Sequence, residues 1–331
     1  MMKIGILGAG SWGTAIANIL ADNNLHVAVW GRDTSVIESI NNNKENNKYL
    51  KGYKLNNSIT ATTVLEKVIT QSEIIINAIP TQNIRNVFTP VSTLLTNKII
   101  VNASKGIEKN SLKLIDEIFF ELLGSLNNVA FLSGPTFAEE VLKRLPTATT
   151  ISSENKDLSE TLQKIFNNNY FRVYTETDVK GVLLGGAIKN IIAIGAGIID
   201  SIGLGHNARA SLITRGLSET IRLGNVLGAH PQTFSGLTGL GDLILTCTGN
   251  LSRNRRVGME LGKGVYIEEI VKKLGMVAEG VDTCHSVYSL SEKLNIEMPI
   301  TKEIYNIIYN KKQVKHAIND LMKRKLKEEK C

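Results

Sequence analysis

Apolar residues recur along this chain in two rhythms, and the change from one to the other divides it. In the first half, short runs that are apolar on both faces, "KIGIL", "HVAVW", "EIIINAI", "KIIVNAS" and "NVAFLSG", are separated by stretches such as "TAIANILAD", where apolar residues return every three or four positions. Strand-length runs without a polar face predict a parallel sheet covered by helices on both sides. Past about residue 180 the strand-like runs stop, and only helical patterns remain, over 179–202, 208–227, 267–274, 279–294 and 301–309. The pattern therefore predicts an α/β fold, with a doubly wound domain over 1–180 and an all-helical domain over 181–331. The asparagine-rich run "NNNKENNK" reads as a surface loop.

Composition narrows the class. A chain of 331 residues, 43% hydrophobic, can bury a sizeable core and suits two domains. Much of the net charge of +7 lies in the tail "KRKLKEEKC" and not in a stripe interleaved with aromatics, so solvated surface charge is expected and a nucleic-acid partner is not. Cys247, Cys284 and Cys331 share no metal-binding or paired spacing, which suits a reducing compartment and predicts no metal site. Lys3 leads directly into an apolar run with no room for a secretory signal, and a cytoplasmic protein is expected. The run "VLLGGAIKNIIAIGAGII" is long enough to span a membrane, but Lys189 and Asn190 sit in its middle. A central lysine disfavours insertion by about 2.5–3.5 kcal/mol, so a buried helix is expected, its glycines admitting close neighbours.

Candidate chemistry begins at "GILGAGSWGTAIA". Gly8, Gly10 and Gly13 form G-x-G-x-x-G between a strand and a helix, the Rossmann-type arrangement in which helix N-terminal amides face a dinucleotide pyrophosphate. Ser11 and Trp12 lie at its tip. At the end of the second strand, "VAVWGRD" offers Arg32 to a 2′-phosphate, and Asp33 to a 2′-hydroxyl. The reading is NADP or NAD, with NADP favoured.

Ligands of open α/β sheets bind beyond the carboxyl ends of the strands, where "NAIPTQ", "NASKGIE" with Lys105, and "LSGPTFAEEV" with Gly134 and Thr136 fall. Lys189 is harder to explain blandly: an ammonium on so apolar a helix must be paired, reach a surface or do chemistry. Downstream, Ser252, Arg253 and Asn254 stand at a predicted helix start, where amides, hydroxyl and guanidinium converge on a phosphate-like group. Asp242 in "GLGD" is placed to pair with Lys189 or a substrate hydroxyl.

Taken in order, "GAGSWGTA", "NASKGIE", "SGPTFAEEV", "GAIKNIIAIGAGI", "GLTGLGDLILTC", "SRNRR" and "VAEGV" resemble the bacterial-type NAD(P)-dependent glycerol-3-phosphate dehydrogenases over essentially the whole chain. The resemblance implies that Ser11, Trp12 and Arg32 hold the cofactor, with Ala138 near the nicotinamide and Val277 and Glu279 closing over it. Lys105 and Arg253 also fall among the cofactor-binding positions. Lys105, Gly134 and Thr136 would face substrate, Asp242, Ser252, Arg253 and Asn254 would complete its site, and Lys189 would be the catalytic acid/base. Thr136 stands where the family often has serine, and the hydroxyl survives. The implied reaction is hydride transfer to dihydroxyacetone phosphate, a small phosphorylated substrate, giving sn-glycerol 3-phosphate for phospholipid synthesis. A homodimer is the expected assembly. Two other readings stay open at this point: a related dehydrogenase acting on a carboxylate, and a non-catalytic NADP sensor.

Overall fold

The computed structural model describes residues 2–126, 128–274, 278–326 and 328–329. Two compact units emerge from it: Met1–Ser104 with Asp116–Val179, and Lys105–Ile115 with Lys180–Cys331. The pattern break near residue 180 falls at this division, whereas the excursion Lys105–Ile115 has no counterpart in the hydrophobic rhythm.

The first unit contains β1 (Lys3–Leu7), β2 (His26–Trp30), β3 (Glu45–Asn46), β4 (Leu50–Lys54), β5 (Ile59–Thr62), β6 (Ile74–Asn77), β7 (Ile99–Asn102), β8 (Val129–Ser133), β9 (Thr147–Ser152) and β10 (Phe171–Glu176). Apart from the β3–β4 pair they form one sheet, ordered β10-β9-β8-β7-β6-β1-β2-β5. Register such as Gly5↔Ala28 and Ile76↔Val101 brings the carboxyl ends of the central strands to one edge. The strand order reverses beside β1, which is the topological switch point where such sheets bind ligands. Helices α1 (Ser11–Asp22), α2 (Thr34–Asn43), α3 (Leu65–Thr70), α4 (Ile84–Phe88), α5 (Ile115–Leu123), α6 (Ala138–Leu142) and α7 (Lys156–Phe166) connect the strands.

All five strand-like runs of the sequence are strands. The parallel expectation fails at one pair, where β9 runs antiparallel to β8; β10 then pairs parallel with β9. At that end of the sheet the edge strand β10 alternates buried Phe171 and Val173 with exposed Arg172 and Tyr174, a half-solvated pattern unlike that of the fully covered central strands. The asparagine-rich run also departs from expectation. Asn46 is buried and donates to the Ala9 carbonyl at 3.0 Å and to Thr14 Oγ1 at 2.8 Å, pinning the glycine loop from below.

The second unit carries α8 (Val179–Ser201), α9 (Gly205–Val226), α10 (Asp242–Thr248), α11 (Arg253–Gly262), α12 (Ile267–Leu274), α13 (Glu279–Lys293), α14 (Pro299–Tyr309) and α15 (Val314–Met322). Among the described residues α8 alone is long and apolar enough to cross a membrane, and 94% of its most apolar window is buried inside the protein. It is a core helix. Gly197 explains how its neighbours reach it: a Cβ there would collide with the Arg255 carbonyl of α11.

Candidate active site

In the first unit the glycine loop is shaped by close approaches. Gly8 has φ of +121°, and a Cβ there would sit 2.6 Å from the Ala78 carbonyl oxygen; one on Gly13 would collide with the Gly8 carbonyl. Gly10 differs, since a Cβ on it would meet nothing within 4 Å. Its smallness keeps space open before the first turn of α1, whose leading amides have no intrahelical acceptor. An anion-sized space beside helix amides is what a dinucleotide pyrophosphate fills, so these residues fit the cofactor. Ser11 Oγ donates to the Tyr49 carbonyl at 3.4 Å, and Trp12 is half-buried beside it.

At the end of β2 the two candidates for the ribose separate. Asp33 caps α2, accepting from Ser35 N at 3.0 Å and Ser35 Oγ at 2.7 Å, and it pairs with Lys48 at 2.7 Å. The Lys48 ammonium and Ser35 hold its carboxyl well below the usual carboxylate range. Arg32 is exposed. Deeper along the same sheet edge, Asn77 Nδ2 donates to Asn102 Oδ1 at 2.8 Å and to Ser104 Oγ at 3.2 Å, tying together the loops after β6 and β7. After β8, Thr136 Oγ1 donates to the Gly134 carbonyl at 3.2 Å, and Ala138 opens α6.

The second unit gathers a buried charged centre. Asp242, at the start of α10, accepts from Lys189 of α8 on Oδ1 and from Lys105 on Oδ2, each at 2.6 Å. One turn along α10, Thr246 Oγ1 accepts from Lys189 at 2.9 Å and donates to Asp242 Oδ1 at 3.2 Å. Two ammonium groups against one carboxylate leave a positive excess in a desolvated place.

Burial pushes the Lys189 ammonium down to about 8; the Lys105 charge adds to that and the Asp242 charge opposes it. Burial alone would push the Asp242 carboxyl up, but the two lysines together pull it below its ordinary value. The geometry thus produces a lysine able to exchange a proton near neutral pH.

Ser252 is the N-cap of α11 and accepts from Arg255 N at 3.2 Å. Arg253 occupies the first helical position, and the buried Asn254 accepts from Gly280 N at 3.1 Å. That bond ties the Asn254 side chain to the first turn of α13, which begins at Glu279. Val277 lies outside the described residues. Sequence reasoning missed Thr246, whose signal was its position four residues after Asp242 on a helix. It also missed the roles of Asn77 and Asn102, although they open the loops "NAIPTQ" and "NASKGIE", and that of Asn46, which lies in the run read as a surface loop.

Two family models match the chain: the NAD-dependent glycerol-3-phosphate dehydrogenase N-terminus over residues 3–159 and the corresponding C-terminus over 178–319. Glycerol-3-phosphate dehydrogenase (NAD(P)+) of Geobacillus kaustophilus is 48% identical, the match covering 99% of this chain and 96% of the relative. The enzyme of the same name from Nitratidesulfovibrio vulgaris is 46% identical over 99% of this chain and 100% of its own length. Among solved structures, glycerol-3-phosphate dehydrogenase of Coxiella burnetii superposes with a TM-score of 0.93 at 38% identity, covering 98% of this chain and 99% of that one. A D-mandelate dehydrogenase structure, at 12% identity and a TM-score of 0.64 over 94% of this chain and 98% of that one, shares the fold alone.

Proposed function

The chain belongs to the NAD-dependent glycerol-3-phosphate dehydrogenase family, and from that premise we propose that it interconverts dihydroxyacetone phosphate and sn-glycerol 3-phosphate through Lys189. The observation that carries the mechanism is the buried Lys189–Asp242–Lys105 centre. When bound, a reduced nicotinamide supplies the hydride for the ketone carbon. The ketone oxygen then gains negative charge and needs a proton. Lys189 has three N–H donors, two of them directed at Asp242 and Thr246, and the third is assigned to the substrate oxygen. Its ammonium stabilises the developing charge and passes the proton on. In the oxidative direction neutral Lys189 takes the alcohol proton, and the adjacent Lys105 charge favours that neutral form.

Ser252, Arg253 and Asn254 are assigned to the substrate phosphate, whose binding energy fixes the three-carbon unit for reaction. Arg253→Ala is expected to raise the KM for dihydroxyacetone phosphate while leaving the Kd of free cofactor nearly unchanged. A lost charge-assisted hydrogen bond costs about 1.5–3 kcal/mol, or roughly one to two powers of ten. Steady-state kinetics beside a cofactor titration checks this; a parallel loss of cofactor affinity contradicts the assignment.

Cofactor use is NAD or NADP, and the engagement of Asp33 by Ser35 and Lys48 supports a preference for NADP, with Arg32 meeting the 2′-phosphate. Arg32→Ala should then weaken NADPH much more than NADH, read as the two Kd values. Equal losses would remove Arg32 as the discriminator. Gly134, Thr136 and Ala138, with Val277 and Glu279, are assigned to the substrate and nicotinamide surroundings. The product supplies the glycerophospholipid backbone, and the reading includes a cytoplasmic homodimer, which light scattering and cell fractionation test. The deciding assay is loss of reduced-nicotinamide absorbance on adding dihydroxyacetone phosphate. Cofactor binding without turnover would overturn the proposed activity.

A further inference from the structure

Lys105 projects from a segment, Lys105–Ile115, that is almost entirely without helix or strand. Ordering coil costs backbone entropy, and a side chain that must meet a carboxylate at 2.6 Å needs its backbone fixed. Besides turn bonds of its own, such as Glu108 N to the Lys113 carbonyl at 3.0 Å, the segment is met within this unit by α13 and α14. Ser286, fully buried on α13, shares its one hydroxyl proton between the Ile107 carbonyl and the Asp282 carbonyl one turn back, each accepting at 3.1 Å. Farther along, Lys109 pairs with Asp282 at 3.6 Å and lies 5.6 Å from the centre of the Tyr309 ring. Tyr309 in turn donates its hydroxyl to the Val281 carbonyl at 3.0 Å.

Of these contacts the Ser286 bond is nearest to Lys105 and the most buried. The Lys109–Asp282 pair is partly exposed and contributes little. A serine inside a buried helix turn is otherwise a poor choice, since its hydroxyl competes with the helix for the preceding carbonyl and adds little packing. The Ile107 carbonyl, itself out of reach of solvent, gives that hydroxyl a purpose.

We propose that Ser286 is a positioning residue for the reaction: by holding the Ile107 carbonyl, it sets the Lys105 segment so that the Lys105 ammonium reaches Asp242. Helix α13 then supports both ends of the chemistry in this unit, because its Gly280 amide also orients Asn254. The inference rests on Lys189 working as the proton donor.

Among the described residues, the charged and titratable groups acting on Lys189 are Asp242, Lys105 and the Cys247 thiol. Burial pushes that thiol up to about 12, so only the first two carry charge at neutral pH. If Lys105 swings away, Lys189 loses a repelling charge and keeps Asp242 to itself, and it holds its proton more tightly. Ser286→Ala should therefore lower kcat by roughly ten- to a hundredfold. It should also move the pH limb of glycerol 3-phosphate oxidation, which requires neutral Lys189, to higher pH. The Kd of NADPH should stay close to wild type, while the melting temperature should fall by several degrees because the buried Ile107 carbonyl loses this partner. Should the alanine variant fail to fold, the near-isosteric Ser286→Cys, a weaker donor, is expected to shift the limb in the same direction by less. A wild-type protein inactive with dihydroxyacetone phosphate would defeat the underlying reading. Normal wild-type turnover with an unmoved limb in the folded variant defeats the positioning role alone, whether or not kcat falls.

Discussion

Lys189→Met is expected to abolish nearly all turnover while leaving the fold and cofactor binding in place. Met has about the length of lysine without its charge, so packing on α8 is kept. Asp242 keeps Lys105 as a partner at 2.6 Å, and no buried carboxylate is orphaned. The loss should be about two to four powers of ten in kcat, the range of a missing general acid. A variant retaining near-normal turnover would rule out Lys189 as the acid/base.

The pH profile gives the same group a second, independent reading. Reduction needs protonated Lys189, so its rate should hold at neutral pH and fall as pH rises through about 8. Oxidation needs the neutral amine and should rise through the same region. Both limbs should be missing from whatever activity Lys189→Met retains.

How far the sequence disclosed this centre depends on where each residue's explanation lies. Lys189 announced itself because an ammonium in an apolar helix is expensive, whatever the fold around it. Gly8, Gly10 and Gly13 were legible as a fingerprint because the strand before them and the helix after them supplied the context. Arg253 and Ser252 stood out at a helix start. Thr246 and Ser286 were silent, since each is an ordinary polar residue until its partner from a distant segment is known; Asn77 opened a legible loop, but its bonds to Asn102 and Ser104 were not legible. Asn46 was misread as surface for the same reason.

The fold shows the same division. The five largely buried strands β1, β2, β6, β7 and β8 followed from their apolar runs, whereas β5, β9 and β10 mix in polar residues and do not stand out from loops. Nor does local pattern reveal that Lys105–Ile115 packs with the helical unit. That placement comes from tertiary contacts such as Ser286 with Ile107, and it is what brings Lys105 to Asp242.

Asp242→Asn should do more damage to the fold than loss of either lysine, because it removes the one charge both of them share. Two ammonium groups would then face each other across a neutral amide at a buried position. Removing one partner of a buried ion pair typically costs about 3–5 kcal/mol, since the remaining charge is left without compensation. In a unit of this size each kcal/mol corresponds to roughly 2–4 °C, so a clear fall in melting temperature is expected. The catalytic consequence has a definite sign. Without the attracting carboxylate, burial and the Lys105 charge both drive the Lys189 pKa below its value of about 8. The limb at which reduction fails should move to lower pH, and reduction at neutral pH should collapse. Coupling then separates this account from plain loss of packing. In the double variant Lys189→Met with Asp242→Asn, only Lys105 remains to face the amide, so the combined destabilisation should be smaller than the sum of the single effects. Strict additivity in thermal melts, with no movement of the pH limb in Asp242→Asn, would mean that Asp242 does not hold the two lysines as a charged unit.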